Sequence, residues 1–120
     1  MEQVRRAEFR SECLGKEIRC ECLAFPSGIQ LALFGGDRPH IGAAGIADPE
    51  GNIRVTQFSG HKEGILCQEW LEALRGHGMC PAVLEAGIHY DGLTKEGIET
   101  VMQCARGLLE SVIHEFSPEA

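Results

Sequence analysis

The sequence has no excess of basic residues. Its 11 Lys and Arg residues are outnumbered by 18 Asp and Glu residues, which gives a formal net charge of −7 at pH 7. Nucleic acids and anionic membranes are bound through clustered Lys and Arg, so this balance argues against both as partners. A single phosphate group could still be bound locally by a few well-placed donors.

The chain also lacks a CxxC pair, a leader with an apolar centre, and any apolar run of about 18 residues. Its six cysteines stand at positions 13, 20, 22, 67, 80 and 104, several of them among apolar residues. This pattern favours buried free thiols in a reducing compartment, and we expect a cytoplasmic protein. A zinc site on Cys20 and Cys22 is the alternative, although a CxC pair within a strand is a weak metal signal.

The residues that are present suffice for one domain. A chain of 120 residues can bury a sizeable core without disulfides or bound metal ions. We expect a single domain over 1–120 with its core at roughly 17–116. Apolar and polar residues alternate over Glu17–Ala24, which is typical of a half-buried strand. Turn residues separate further predicted strands, and an additional edge strand is expected at Arg5–Cys13. These further strands are Ile29–Phe34, His40–Ala47 and Ile53–Phe58.

The apolar period then changes from that of a strand to that of a helix. Helical spacing predicts one helix over Lys62–Arg75, a short apolar strand follows at Pro81–Ile88, and Thr94 is a natural N-cap for the last helix. That helix carries an apolar stripe from Ile98 to Phe116, which we interpret as core. The predicted fold is α+β: a four-stranded antiparallel meander, then helix, strand and C-terminal helix, with the helices packed on one face of the sheet.

Three segments contain histidine and charged residues that the fold does not require. They are Gly35–Gly42, Gly60–Gly64 and Gly87–Gly92, and each places a histidine beside glycine where a strand meets a loop or a helix. Histidines at such positions often only cap backbone groups. The same combination at three junctions favours a ligand site, because loops on a rigid scaffold concentrate binding residues.

Two kinds of site are compatible with these residues. In the first, Gly60-His61-Lys62 opens a helix after a strand, so that its free N–H groups, Lys62 and the forked guanidinium of Arg38 bind a phosphate. In the second, His40, His61 and His89 converge on a metal ion, with Asp91 as ligand or orienting carboxylate. No recognisable nucleophile motif is present at Ser59 or Cys80.

The same segments resemble a known family. RPHIGAA at 38–44, GHKE at 60–63 with Leu66, and GIHYD at 87–91 with Leu93-Thr94 are similar in order and spacing to the LpdD-like family of small gallate decarboxylase accessory proteins. These proteins are prenylated-flavin-chaperone-like and are distantly related in fold to proteasome assembly chaperones. The resemblance covers roughly residues 17 to 114. Tyr90 and Gly92 depart from it, because more aliphatic or small residues are expected there.

The resemblance implies an accessory protein rather than an enzyme. It would bind flavin mononucleotide (FMN), in its prenylated form or as FMN, and serve a UbiD-type decarboxylase as a cofactor chaperone. The phosphate would be bound by Arg38, Gly60, His61 and Lys62 with the amides up to Gly64, and His40, His89 and Asp91 would line the ribityl or ring side. Gly42 and Glu63 complete the predicted cofactor-binding set.

Other functions and assemblies remain open on the sequence alone. A small metal-dependent enzyme would use His40, His61 and His89, and a ligand-free assembly chaperone would bind no flavin. A homo-oligomer is expected because a small sheet leaves edges to cover.

Overall fold

The computed structural model describes residues 3–58 and 63–118 as a six-stranded sheet with two helices. Its elements are β1 (Arg5–Cys13), β2 (Lys16–Phe25), β3 (Gly28–Gly36), β4 (Ala43–Ala47), β5 (Ile53–Gln57), α1 (Gly64–Gly76), β6 (Ala82–His89) and α2 (Lys95–Phe116). The α+β class is confirmed, and so is the edge strand expected at Arg5–Cys13.

The first three strands form an antiparallel meander. A two-residue turn joins β1 to β2, with Leu14 at φ 54° and Gly15 at φ 82°, so that Cys13 faces Lys16. Positive φ at both central residues matches the twist of the two strands, and this is why such turns close hairpins. β2 then pairs with β3 from Ile18 opposite Gly35 to Phe25 opposite Gly28.

The sequence predicted a four-stranded meander, and this prediction is wrong at the step from β3 to β4. The strand order is β1-β2-β3-β6-β4-β5, so β6 lies between β3 and β4. It runs parallel to β3 and antiparallel to β4, which makes the sheet mixed. The strand predicted at His40–Ala47 begins only at Ala43, because the preceding residues cross over the end of β6.

Both helices pack on one face of the sheet, as predicted. The inward side chains of the strands form one cluster with the apolar faces of the helices. Trp70 of α1 is fully buried, as is Ala105 of α2. Thr94 caps α2, since its hydroxyl oxygen accepts the N–H of Gly97 at 3.0 Å. No helix in the described ranges combines the length and apolarity needed to cross a membrane.

All six cysteines are free in the structure. Burial raises the pKa of Cys67 to about 11, so its thiol is protonated and a poor nucleophile near neutral pH. The sulfurs of Cys20 and Cys22 lie 3.8 Å apart on one side of β2, which is a thiol contact and not a disulfide.

Thiol titration of unfolded, unreduced protein is therefore expected to find six free thiols. The measurement uses a chromogenic disulfide reagent in denaturant, with a reduced sample as the control for complete reaction. Recovery of four or two thiols before reduction would contradict the expectation.

Candidate functional site

The parallel pairing of β3 with β6 brings two of the polar segments together. Gly36 faces His89 at the end of the ladder. The N–H groups of Asp37 and Arg38 both donate to the carbonyl of His89, at 2.7 and 3.3 Å. The N–H of Asp91 donates in return to Oδ2 of Asp37 at 2.9 Å. These bonds fix the loop after β3 against the loop after β6.

The loop then passes directly over Gly87. The N–H of His40 donates to the carbonyl of Gly87 at 3.4 Å, and the N–H of Gly42 donates to the carbonyl of Ala86 at 2.9 Å. A Cβ atom on Gly87 would overlap the carbonyl oxygen of His40, so no other residue fits there without displacing the loop. Glycine at this position therefore places His40 over the end of β6.

His40 and Glu63 form a largely buried pair between this loop and the start of α1. Nδ1 of His40 lies 3.0 Å from the carbonyl oxygen of Arg38, and its Nε2 lies 2.8 Å from Oε1 of Glu63. The side chains of His40 and Glu63 are only 19% and 10% exposed. The carbonyl oxygen can only accept a hydrogen bond, so the contact with Arg38 requires the tautomer of His40 that has its proton on Nδ1.

His89 and Asp91 form a second, exposed pair beside the first. Nε2 of His89 lies 2.9 Å from Oδ1 of Asp91, and the guanidinium of Arg38 lies 3.6 Å from the same oxygen. The hydrogen bond from His89 lowers the pKa of Asp91, with a further contribution from Arg38. The rings of His40 and His89 meet edge to face, with centroids 6.2 Å apart.

An apolar groove opens next to these two pairs. It has a volume of about 580 Å³ and lies between the first turns of α1 and α2, with the end of β6 as its floor. Ile65 and Ile98 stand on opposite sides of it and are 72% and 53% exposed. Its lining comprises Glu63, Ile65, Leu66, Ile88, His89, Tyr90, Leu93, Ile98, Val101 and Met102. Glu63 and His89 are therefore shared by the groove and the polar pairs.

Tyr90 contributes a wall of the groove and not a free hydroxyl group. Its side chain is buried, and its hydroxyl donates to the carbonyl of Cys13 at 2.6 Å. Burial raises the pKa of this hydroxyl above its ordinary value. The bond ties the loop after β6 to the β1–β2 turn and fixes the ring beneath the groove.

The structure brings together six of the predicted cofactor-binding residues. They are Arg38, His40, Gly42, Glu63, His89 and Asp91. Gly42 belongs to this group because a Cβ atom there would overlap the Glu63 carboxylate. The other three predicted residues, Gly60, His61 and Lys62, lie outside the described residues.

The start of α1 differs from the sequence prediction. The helix is predicted from about Lys62, which lies outside the described residues, and it begins at Gly64. The N–H of Gly64 donates to Oε1 of Gln57 at 2.9 Å, so this amide is already engaged by a side chain of β5. The predicted phosphate anchor would therefore depend on the residues before Gly64 and on Arg38.

The metal alternative finds little support in the described part of the chain. No group of three or more His, Cys, Asp or Glu side chains within 3–58 and 63–118 is arranged to hold a metal ion. Both ring nitrogens of His40 already face oxygen atoms. His61, the third histidine of that hypothesis, is outside the described ranges.

The sequence did not predict the groove. Ile98 and Met102 were assigned to the core stripe of α2, but Ile98 is 53% exposed and Met102 only partly buried. Ile65, in the first turn of α1, is 72% exposed and lines the groove. The available signal was an apolar residue in the first turn of each helix, next to segments already rich in histidine and glycine.

Comparison with known families supports the resemblance noted in the sequence. Residues 12–117 match the model of the prenylated flavin chaperone LpdD-like domain. The chain belongs to this family. The match spans both polar pairs and the groove, so the site described above lies wholly inside the family domain. Among curated proteins, no relative matches the chain.

Proposed function

We propose that this LpdD-like protein binds FMN, in its prenylated form, without catalysing a reaction on it, and delivers it to a UbiD-type decarboxylase. The observation that carries the proposal is the position of the apolar groove directly beside the His40–Glu63 and His89–Asp91 pairs. A prenylated flavin nucleotide has the same division, with an apolar ring system at one end and an anionic phosphate at the other.

The residues present fit such a group. A volume of about 580 Å³ falls within the range of small-molecule sites, and the lining is mostly aliphatic with few polar atoms. Ile65, Ile98 and Met102 would contact the ring and its prenyl addition. His89 and Glu63 stand at the polar rim of the groove, where the ribityl chain would leave it.

The phosphate would be bound by Arg38 together with His61 and Lys62. Arg38 is 73% exposed and its guanidinium is only loosely paired with Asp91, at 3.6 Å, so it is available to an incoming anion. A guanidinium suits a phosphate because it offers several donors in one plane. The role of His61 and Lys62 rests on the GHKE segment of the sequence.

A carrier role fits the openness of this arrangement. The site has no buried nucleophile among the residues described, its histidines are tied to carboxylates, and the groove is open to solvent along both helices. A chaperone must release its cargo to a partner, and two partly exposed walls would permit release without unfolding. When bound, the prenylated flavin supplies the chemistry of the decarboxylase that receives it.

The direct test is gel filtration after incubation with prenylated FMN, FMN or riboflavin, with detection of visible absorbance. We expect flavin to co-elute with the protein and then to transfer to a flavin-free UbiD-type decarboxylase on mixing. A ligand-free assembly chaperone would elute without visible absorbance under every condition, and that result would overturn the proposal.

Replacement of Arg38 by alanine is expected to weaken FMN binding about tenfold, since one charge-assisted contact to phosphate contributes roughly 1.5 kcal/mol at its lower limit. Riboflavin, which has no phosphate, should bind the variant and the native protein equally. Fluorescence titration measures both affinities. Arg54→Ala is the matched control, because Arg54 is an exposed arginine of β5 outside the site. Equal loss for FMN and riboflavin would show that Arg38 does not contact the phosphate.

A further inference from the structure

Strand β1 is a free edge of the sheet, and its charges are arranged symmetrically. It is the first strand in the order and has one neighbour, β2. Its nine residues read Arg-Arg-Ala-Glu-Phe-Arg-Ser-Glu-Cys. Glu8 and Arg10 flank Phe9 in the sequence. Arg6 and Glu12 are the next residues outward on the face of the sheet that Glu8 and Arg10 share. Each acidic residue is thus mirrored by a basic one.

The hairpin geometry determines which peptide groups face outward. Cys13 and Lys16 close a two-residue turn, so they form a hydrogen-bonded pair, and the pairs then alternate along the ladder. The N–H and C=O groups of Arg6, Glu8, Arg10 and Glu12 therefore point to the free edge. The side chains of these four residues are exposed, on the face of the sheet opposite the two described helices.

We propose that β1 pairs antiparallel with β1 of a second copy of this chain, with the two-fold axis at Phe9. In this register Glu8 faces Arg10 of the second copy and Arg6 faces its Glu12, which gives four oppositely charged cross-strand pairs. Each of these four residues has its N–H and C=O groups directed to the free edge and faces another such residue of the second copy. The two strands can therefore form a continuous ladder of hydrogen bonds. The two sheets join into one of twelve strands.

The neighbouring registers are electrostatically unfavourable. With the axis at Glu8, the two Glu8 carboxylates face each other and Arg6 faces Arg10. With the axis at Arg10, the two Arg10 guanidinium groups face each other and Glu8 faces Glu12. Like charges directly opposite each other destabilise a strand pair, so the charge pattern favours the register centred on Phe9 over both of its neighbours.

The opposite edge of the sheet has no such pattern. β5 is five residues long, and its one charged residue is Arg54. Paired with a second copy about Val55, Arg54 would face Thr56 and gain no opposite charge. In the single chain, Glu8 and Arg10 already contact each other within β1, while Arg6 and Glu12 have no ion pair with any described residue. The dimer would supply partners for them.

The test uses two charge-reversal variants. Each places like charges opposite each other in its own homodimer, and a mixed dimer of the two places opposite charges together. Glu8→Arg places arginine opposite arginine, and Arg10→Glu places glutamate opposite glutamate, twice in each homodimer. Sedimentation velocity should show the native protein as a dimer of the 13.1-kDa chain. Each variant alone should dissociate at least about tenfold more readily, and an equimolar mixture of the two should recover the dimer.

The mixture separates a register effect from a folding defect, because mixing cannot repair a chain that fails to fold. Circular dichroism of each variant checks the fold, and Arg54→Glu is the control reversal on the other edge, which should leave the dimer intact. The proposal is overturned by a monomeric native protein, by variants that remain dimeric, or by a mixture with no more dimer than its components. None of these measurements involves flavin, so the result is independent of the proposed cofactor.

Discussion

Replacement of Ile98 by aspartate is expected to lower the affinity for prenylated FMN about a hundredfold or more, equivalent to roughly 2.7 kcal/mol. The new carboxylate would stand on one wall of the groove, where bound ring atoms would strip it of water without offering a donor. The measurement is a fluorescence or absorbance titration of the folded variant.

The same substitution should leave the free protein stable. Ile98 is 53% exposed and lies in the first turn of α2, where an acidic residue interacts favourably with the helix dipole. Ile46→Asp on β4 is the control, since Ile46 is 43% exposed and lies outside the groove lining. Native-like affinity in the Ile98 variant would show that the flavin ring binds elsewhere.

Replacement of Gly87 by alanine is expected to destabilise the fold by about 1–3 kcal/mol and to disrupt the site. The added methyl would overlap the carbonyl of His40, so the crossing loop or the end of β6 must move. Either shift would break the bond from the His40 amide and change the contact of His40 with Glu63. Denaturant unfolding measures the loss of stability, and flavin titration measures the loss of binding.

Gly107 provides the matched control for this change. It lies within α2 with nothing close to the position of an added Cβ. Alanine there should stabilise the protein by about 0.5–1 kcal/mol, because glycine is a poor helix former. If the Gly87 and Gly107 variants were equally stable, the close approach of the loop to β6 would not contribute to the fold.

Local signals predicted the elements well, and they could not predict their order in the sheet. The alternation in β2 and the cap at Thr94 depend on neighbouring residues alone, and both are confirmed. The position of β6 between β3 and β4 depends on pairing between residues far apart in the chain.

The candidate site was predicted in part for the same reason. Histidine and glycine at the ends of β3 and β6 marked two segments that the parallel pairing brings together. The contact between His40 and Glu63 joins residues on different elements, which the sequence alone could not place. The groove was missed because helical periodicity cannot tell whether an apolar side chain faces the sheet or the space between two helices.

The insertion of β6 also determines when the binding site can form. β1, β2 and β3 pair with sequence neighbours and can assemble as soon as they are synthesised, and the β4–β5 hairpin can form by itself. The two parts have no shared hydrogen-bonded ladder until β6, the last strand, enters between them. One wall of the groove is formed by α2, which follows β6 in the chain and is therefore synthesised after it. A nascent chain therefore has no place for cargo until α2 has been synthesised.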